Sequence, residues 1–317
     1  MLGAVHAAVF AGLFAAATPN LTAAANVSGR PPECAPVAEG RRSTGPSVWA
    51  SARRPQLVSY CRLLSHAQAQ LASEPVRSLD DALAADAAMP GRAAPKVLAA
   101  RALLRLERNE EASAAFEEAL KRDPRAAHAP LALRDLATLE LILGHANAAI
   151  ASYRRLVPLV SLLPSREEAV RVLLEAAHAS MAVSAAAREG SPPASALDEP
   201  LTFLREAARS PGSPLALYVA LSLALALDRS GRGEEASALL RELDGAAAVR
   251  ERPLPFRPAE ARDRLVLEAL ALERTLPKEA ALRYRQYLAE EPARSAWRST
   301  TEARLLRLES ARGSTPR

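Results

Sequence analysis

The stretch AAPKVLAARALLRLERNEEASAAFEEALKRDPRA, residues 93–126, decides the reading of this chain. It holds two amphipathic segments around a polar turn at Arg108–Glu110, and Asp123-Pro124 closes the second, because proline has no N–H to continue a helix. Counted from Ala93, small residues fall at places 7, 8, 20 and 27 (Ala99, Ala100, Ala112, Ala119), with Leu103 at 11, Phe116 at 24 and Pro124 at 32. Small side chains at these intervals let two helices approach closely.

Small residues at 8 and 20, an aromatic at 24 and a proline at 32 resemble a tetratricopeptide repeat. The resemblance implies an all-α fold: a right-handed α-solenoid of stacked antiparallel helix pairs with a C-terminal capping helix.

Further copies run along the chain. Pro130–Leu163 has Ala137 at place 8, Gly144 in the turn, Ala149 at 20 and Tyr153 at 24, with Ser161 where the proline would stand. Leu217–Arg250 has Ala224, Gly231, Ala236 and Leu240 at the corresponding places, and runs into the proline-broken stretch Val249–Pro258. Ala261–Ala293 keeps Ala280, Tyr284 and Pro292, although its first helix is out of step, with Glu268 at place 8. Between them a pair is split: a helix over Arg166–Arg188, an insertion Glu189–Ser195, and a helix over Leu197–Arg209. Pro55–Met89 reads as a degenerate first pair, with Leu57, Tyr60, Cys61 and Leu64 on one apolar face and Val76, Leu79 and Leu83 on another. The segment Ala296–Arg312, with Trp297, Leu305 and Leu308 on one face, reads as the capping helix.

The first 25 residues read as a secretory signal peptide, an apolar run from Ala7 to Ala17 followed by small residues at Ala23 and Ala25. Residues 26–50 form a Pro/Gly/Ser-rich lead-in, 51–312 the repeat domain, and 313–317 a disordered tail. The protein is therefore expected to be exported, to the periplasm or the extracellular space, with no integral membrane domain once the leader is removed. In that setting the two cysteines, Cys34 and Cys61, are expected to form a disulfide that pins the lead-in to the first helix.

Composition agrees with helix packing. Hydrophobic residues make up 49% but aromatics only 4%, so a core must be built from alanine and leucine in close contact. The net charge is +5, and of the 41 basic residues three are lysine and 38 arginine. Arginine and glutamate are interleaved at helical spacing, as in Glu118 with Arg122 and Glu167 with Arg171. No aromatic-rich basic cluster accompanies them, so nucleic acid is not the expected partner.

No spacing of histidines, cysteines, glycines or serines marks a metal, nucleotide or nucleophile site, so neither catalysis nor a cofactor is expected. Asp80-Asp81 and Glu110-Glu111 are paired acids read as lying near first helical turns, where they complement the helix dipole. In proteins with this repeat, places 2, 5, 9, 12 and 13 of each first helix line a concave groove. Carried onto this chain, the places give Val97, Arg101, Leu104 and Arg105; then Arg134, Thr138, Leu141 and Ile142; then Leu174, His178 and Met181; then Tyr218, Leu221, Leu225, Asp228 and Arg229. The asparagines of the family's terminal-carboxylate clamp are absent from these places.

The lining predicts a scaffold that binds a peptide or partner protein carrying acidic groups. Charge reversal at Arg101 and Arg105 is expected to remove that partner without unfolding the chain. The alternative is a structural protein that self-associates through its ends, or a binder of a glycan or cell-wall polymer.

Overall fold

The structure is a computed structural model that describes residues 32–34, 52–53, 55–186, 194–210, 212–243, 255–256, 258–290 and 297–313. The leader, residues 187–193 of the split pair and its insertion, and residues 314–317 of the tail lie outside them. Of the lead-in, only Pro32–Cys34 is described, as a single 3-10 turn.

Thirteen α-helices follow among the described residues: α1 (Gln56–Gln70), α2 (Pro75–Ala88), α3 (Ala93–Arg105), α4 (Asn109–Arg122), α5 (Pro130–Ile142), α6 (Ala146–Leu156), α7 (Arg166–Ala186), α8 (Asp198–Ala208), α9 (Ala216–Arg229), α10 (Gly233–Glu242), α11 (Asp263–Leu272), α12 (Pro277–Glu290) and α13 (Arg298–Gly313). They pack as six successive pairs, α1 with α2 through α11 with α12, stacked side by side, and α13 closes the array against α12. The described part of the chain is thus an all-α array of stacked helix pairs. No described helix is long and apolar enough to cross a membrane.

Turn chemistry explains the pairing. Gly144 and Gly231 take φ of +78° and +80°, in the left-handed region that a side chain disfavours. This lets the amides of His145 and Arg232 donate back to the carbonyls of Glu140 and Leu227, at 2.8 Å in each case. The α3–α4 turn has the same form, Arg108 N–H donating to the Leu103 carbonyl at 3.0 Å, but the left-handed position is held by Glu107 at φ +59°.

The residues that mark the repeat sit between helices. Ala112, Ala149, Ala236 and Ala280 are completely buried, as are Tyr153 and Tyr284 at place 24, and Phe116 is 1% exposed. Helix α5 faces two cores: it turns Ala132, Leu136 and Leu139 to the N-terminal one and Leu133, Ala137 and Leu141 to the C-terminal one. Apolar atoms on both sides hold one continuous rod.

Two local expectations are corrected. On α2, Leu79 is buried but Val76 and Leu83 are exposed. The buried stripe is Ser78, Leu79, Ala82 and Ala85, and Ser78 Oγ donates to the Ala67 carbonyl of α1 at 2.7 Å, so small residues set that contact. Asp80-Asp81 lie mid-helix, since α2 starts at Pro75, whereas Glu110-Glu111 do occupy the first turn of α4. Helix α6 stops at Leu156, and a 3-10 turn over Val157–Leu162 takes the place of a proline stop. At the N-terminal end Cys34 and Cys61 are bonded, with Cα atoms 5.4 Å apart, and Cys34 is buried against α1.

Candidate functional site

The first helices of the second, third and fourth pairs, α3, α5 and α7, enclose a polar cleft of about 490 Å³. Leu104 and Arg105 enter from α3, Glu107 from the turn after it, Asn109 from the start of α4, Arg134, Asp135, Thr138 and Ile142 from α5, and Glu168, Arg171, Val172 and Glu175 from α7. Its organising charge is Asp135, which is 2% exposed. A carboxylate taken from water needs several donors. Asp135 has three: Arg101 Nε donates to Oδ2 at 2.7 Å, Arg134 Nη2 to Oδ1 at 2.6 Å, and Arg105 Nη2 to Oδ1 at 3.4 Å. Burial opposes the charge, but the three guanidinium groups outweigh it and hold the carboxyl below its usual range.

Around this centre the cleft wall is paired unevenly. Arg134 also meets Glu168, and the Tyr153 hydroxyl donates to Glu175 Oε2 at 2.8 Å, with burial pushing that phenol up. Arg105 and Arg171 keep 42% and 40% of their side chains exposed. Arg171 reaches Glu167 through Nη2 at 2.9 Å, which leaves its buried Nε without a hydrogen-bond partner. Asn109 Oδ1 is likewise buried without one. The cleft thus displays two partly exposed guanidinium groups, while Arg171 Nε and Asn109 Oδ1 lie sealed from solvent. Buried polar atoms without partners are rare enough to be informative.

The residues expected to line a groove divide sharply. Leu104, Arg105, Arg134, Thr138 and Ile142 come together in the cleft. Val97, Arg101 and Leu141 lie buried behind it. Leu174, His178, Met181, Leu221 and Leu225 are core, Asp228 and Arg229 are each only 7% exposed, and Tyr218 is half-buried.

The chain's own C-terminal part covers this second set. The Phe256 ring lies 5.0 Å from that of His178 and 6.3 Å from that of Tyr218, and Trp297 stacks under the Arg229 guanidinium at 4.9 Å. Arg304 of α13 comes within 2.8 Å of Asp228. Among the expected lining residues, the ones that border the cleft are on α3 and α5.

Sequence reasoning overlooked Asp135, Glu168, Glu175, Glu107 and Asn109. Asp135 carried the clearest signal, a lone acid in the apolar run LALRDLATL whose burial demands cationic partners.

No protein family and no curated protein sequence matches the chain. Among solved structures it is similar to a tetratricopeptide repeat protein from Parabacteroides merdae, with 14% identity over 83% of this chain and 89% of that one and a TM-score of 0.39. It is also similar to the tetratricopeptide domain of P58(IPK), with 12% identity over 86% of this chain and 72% of that one and a TM-score of 0.33.

Proposed function

We propose that the chain is a non-catalytic scaffold that grips an extended segment of a partner protein in the cleft between α3, α5 and α7. One observation carries the reading: Arg105 and Arg171, each with about two-fifths of its side chain exposed, border the same cleft. An acidic side chain on a bound segment would meet these two guanidinium groups. Four carboxylates in the same cleft disfavour a phosphate backbone, which argues for protein over nucleic acid. The leader-like first 25 residues and the Cys34–Cys61 bond support action in the cell envelope or outside the cell, where disulfides persist.

Incorporating a photo-crosslinking residue at Thr138, in the native compartment, followed by mass spectrometry tests both parts. A captured protein that is lost from Arg105→Ala and Arg171→Ala chains supports the reading. Capture that both variants leave unchanged sinks it.

A further inference from the structure

One residue of the cleft holds a backbone conformation that does not suit its side chain. Glu107 takes φ +59° and is the only residue other than glycine at positive φ among the described residues. Equivalent turns give that place to Gly144 and Gly231. A side chain there crowds the backbone, and strain of this kind gathers at binding sites, where the residue has a use that the turn itself does not. Glu107 borders the cleft.

Its carboxylate is the one in the cleft that the fold leaves over. Asp135 is met by three guanidinium groups, Glu168 by Arg134, and Glu175 by the Tyr153 hydroxyl. The two arginines nearest Glu107 in sequence turn elsewhere: Arg105 to Asp135, and Arg108 to Glu111 through hydrogen bonds of 2.7 and 2.6 Å. Glu107 is exposed and makes no ion pair among the described residues. The cleft thus offers an unpaired carboxylate as well as the partly exposed guanidinium groups of Arg105 and Arg171.

We infer that Glu107 is a specificity-determining residue, selecting partner segments that carry a lysine or arginine close in sequence to the acid received by Arg105 and Arg171. This rests on the cleft being a peptide site. Charges of both signs displayed in one cleft fit a dipolar segment, and a uniformly acidic one would meet Glu107 as a like charge. Glycine would relax the turn and lose this discrimination.

Selection of a random dodecapeptide library displayed on phage against the full chain, followed by fluorescence anisotropy of synthetic copies of the selected peptides, tests the assignment. Selected sequences should pair an acidic residue with a nearby basic one. Replacing that basic residue by glutamine should weaken binding to the parent about twofold to fivefold, as for a part-exposed ion pair, and should cost nothing on Glu107→Gln. Glu107→Arg should prefer the peptide whose basic residue is replaced by glutamate. Glu107→Gly should lose the same factor as Glu107→Gln although its turn is relaxed. Equal losses on the parent and Glu107→Gln, or selected peptides with an acid and no base, overturn the inference and leave the cleft reading in place. Peptides whose binding Arg105→Ala and Arg171→Ala leave unchanged sink the cleft reading, and the inference with it.

Discussion

Arg229, the last residue of α9, and Asp263, the first of α11, form a two-point ion pair inside the C-terminal core, with Nη2–Oδ1 at 2.5 Å and Nη1–Oδ2 at 3.0 Å. Both side chains are almost fully buried, and His178 from α7 approaches Asp263 at 3.6 Å while its Nε2 meets Ser222 of α9 at 3.0 Å. One carboxylate thereby ties three successive pairs together. Removing it strands a guanidinium against Trp297, so Asp263→Ala should cost about 3–5 kcal/mol. Urea unfolding monitored by far-UV circular dichroism measures this, and a loss below about 1 kcal/mol would contradict it.

The same chemistry sets the acid limit. Burial alone would raise the carboxyls of Asp135 and Asp263, but Arg101 and its neighbours around the first, and Arg229 with His178 around the second, hold both below an ordinary aspartate. A carboxyl lowered in the folded state stabilises the fold above the unfolded pKa, about 3.9, and loses that contribution as the pH falls through the folded value. The stability gap between the parent chain and Asp263→Ala should therefore be full at pH 7 and shrink only below about pH 4. Urea midpoints from pH 7 to 2.5 provide the check.

Arg101 and Arg105 are one turn apart and have different roles. Arg101 is 5% exposed and bridges Asp135 and Gln68 of α1, so its charge reversal would set two buried carboxylates side by side. That reversal, expected from sequence to be harmless to folding, should instead destabilise by at least about 3 kcal/mol. Arg105→Ala should stay within about 1 kcal/mol of the parent, because its side chain is 42% exposed and its contact with Asp135 is long. Thermal melts of the two variants separate the cases.

Glu107 occupies a backbone position where equivalent turns carry glycine. An L side chain there costs about 1–2 kcal/mol, so Glu107→Gly should stabilise the fold by about 1 kcal/mol, part of the gain being lost to the freer unfolded chain. A lower melting temperature would show that the Glu107 side chain itself holds the turn.

The Cys34–Cys61 bond closes a loop of sequence separation 27. Limiting the unfolded chain in this way is worth about 3 kcal/mol, which Cys61→Ser should forfeit. Mass spectrometry of alkylated material, before and after reduction, checks the bond: two labelled thiols should appear only after reduction.

Much of the fold was legible because helical repeats are written locally. Alanines at fixed intervals, an aromatic at place 24 and glycines in two turns act within one pair, and Ala112, Phe116, Ala149 and Tyr153 stand between helices as their spacing implies. Spacing within a helix also puts Leu104 and Arg105 on one side of α3 and Arg134 and Thr138 on one side of α5, and these four border one cleft.

What tertiary structure alone decided is which part of that inner face stays open. Phe256, Trp297 and α13 return over His178, Asp228 and Arg229 and convert an expected lining into core. Arg101 likewise becomes internal because Asp135, 34 residues away in the chain, stands opposite it. Periodicity determines the direction in which a side chain leaves its helix. Whether water or another helix waits there depends on contacts between distant parts of the chain, and no local pattern records them.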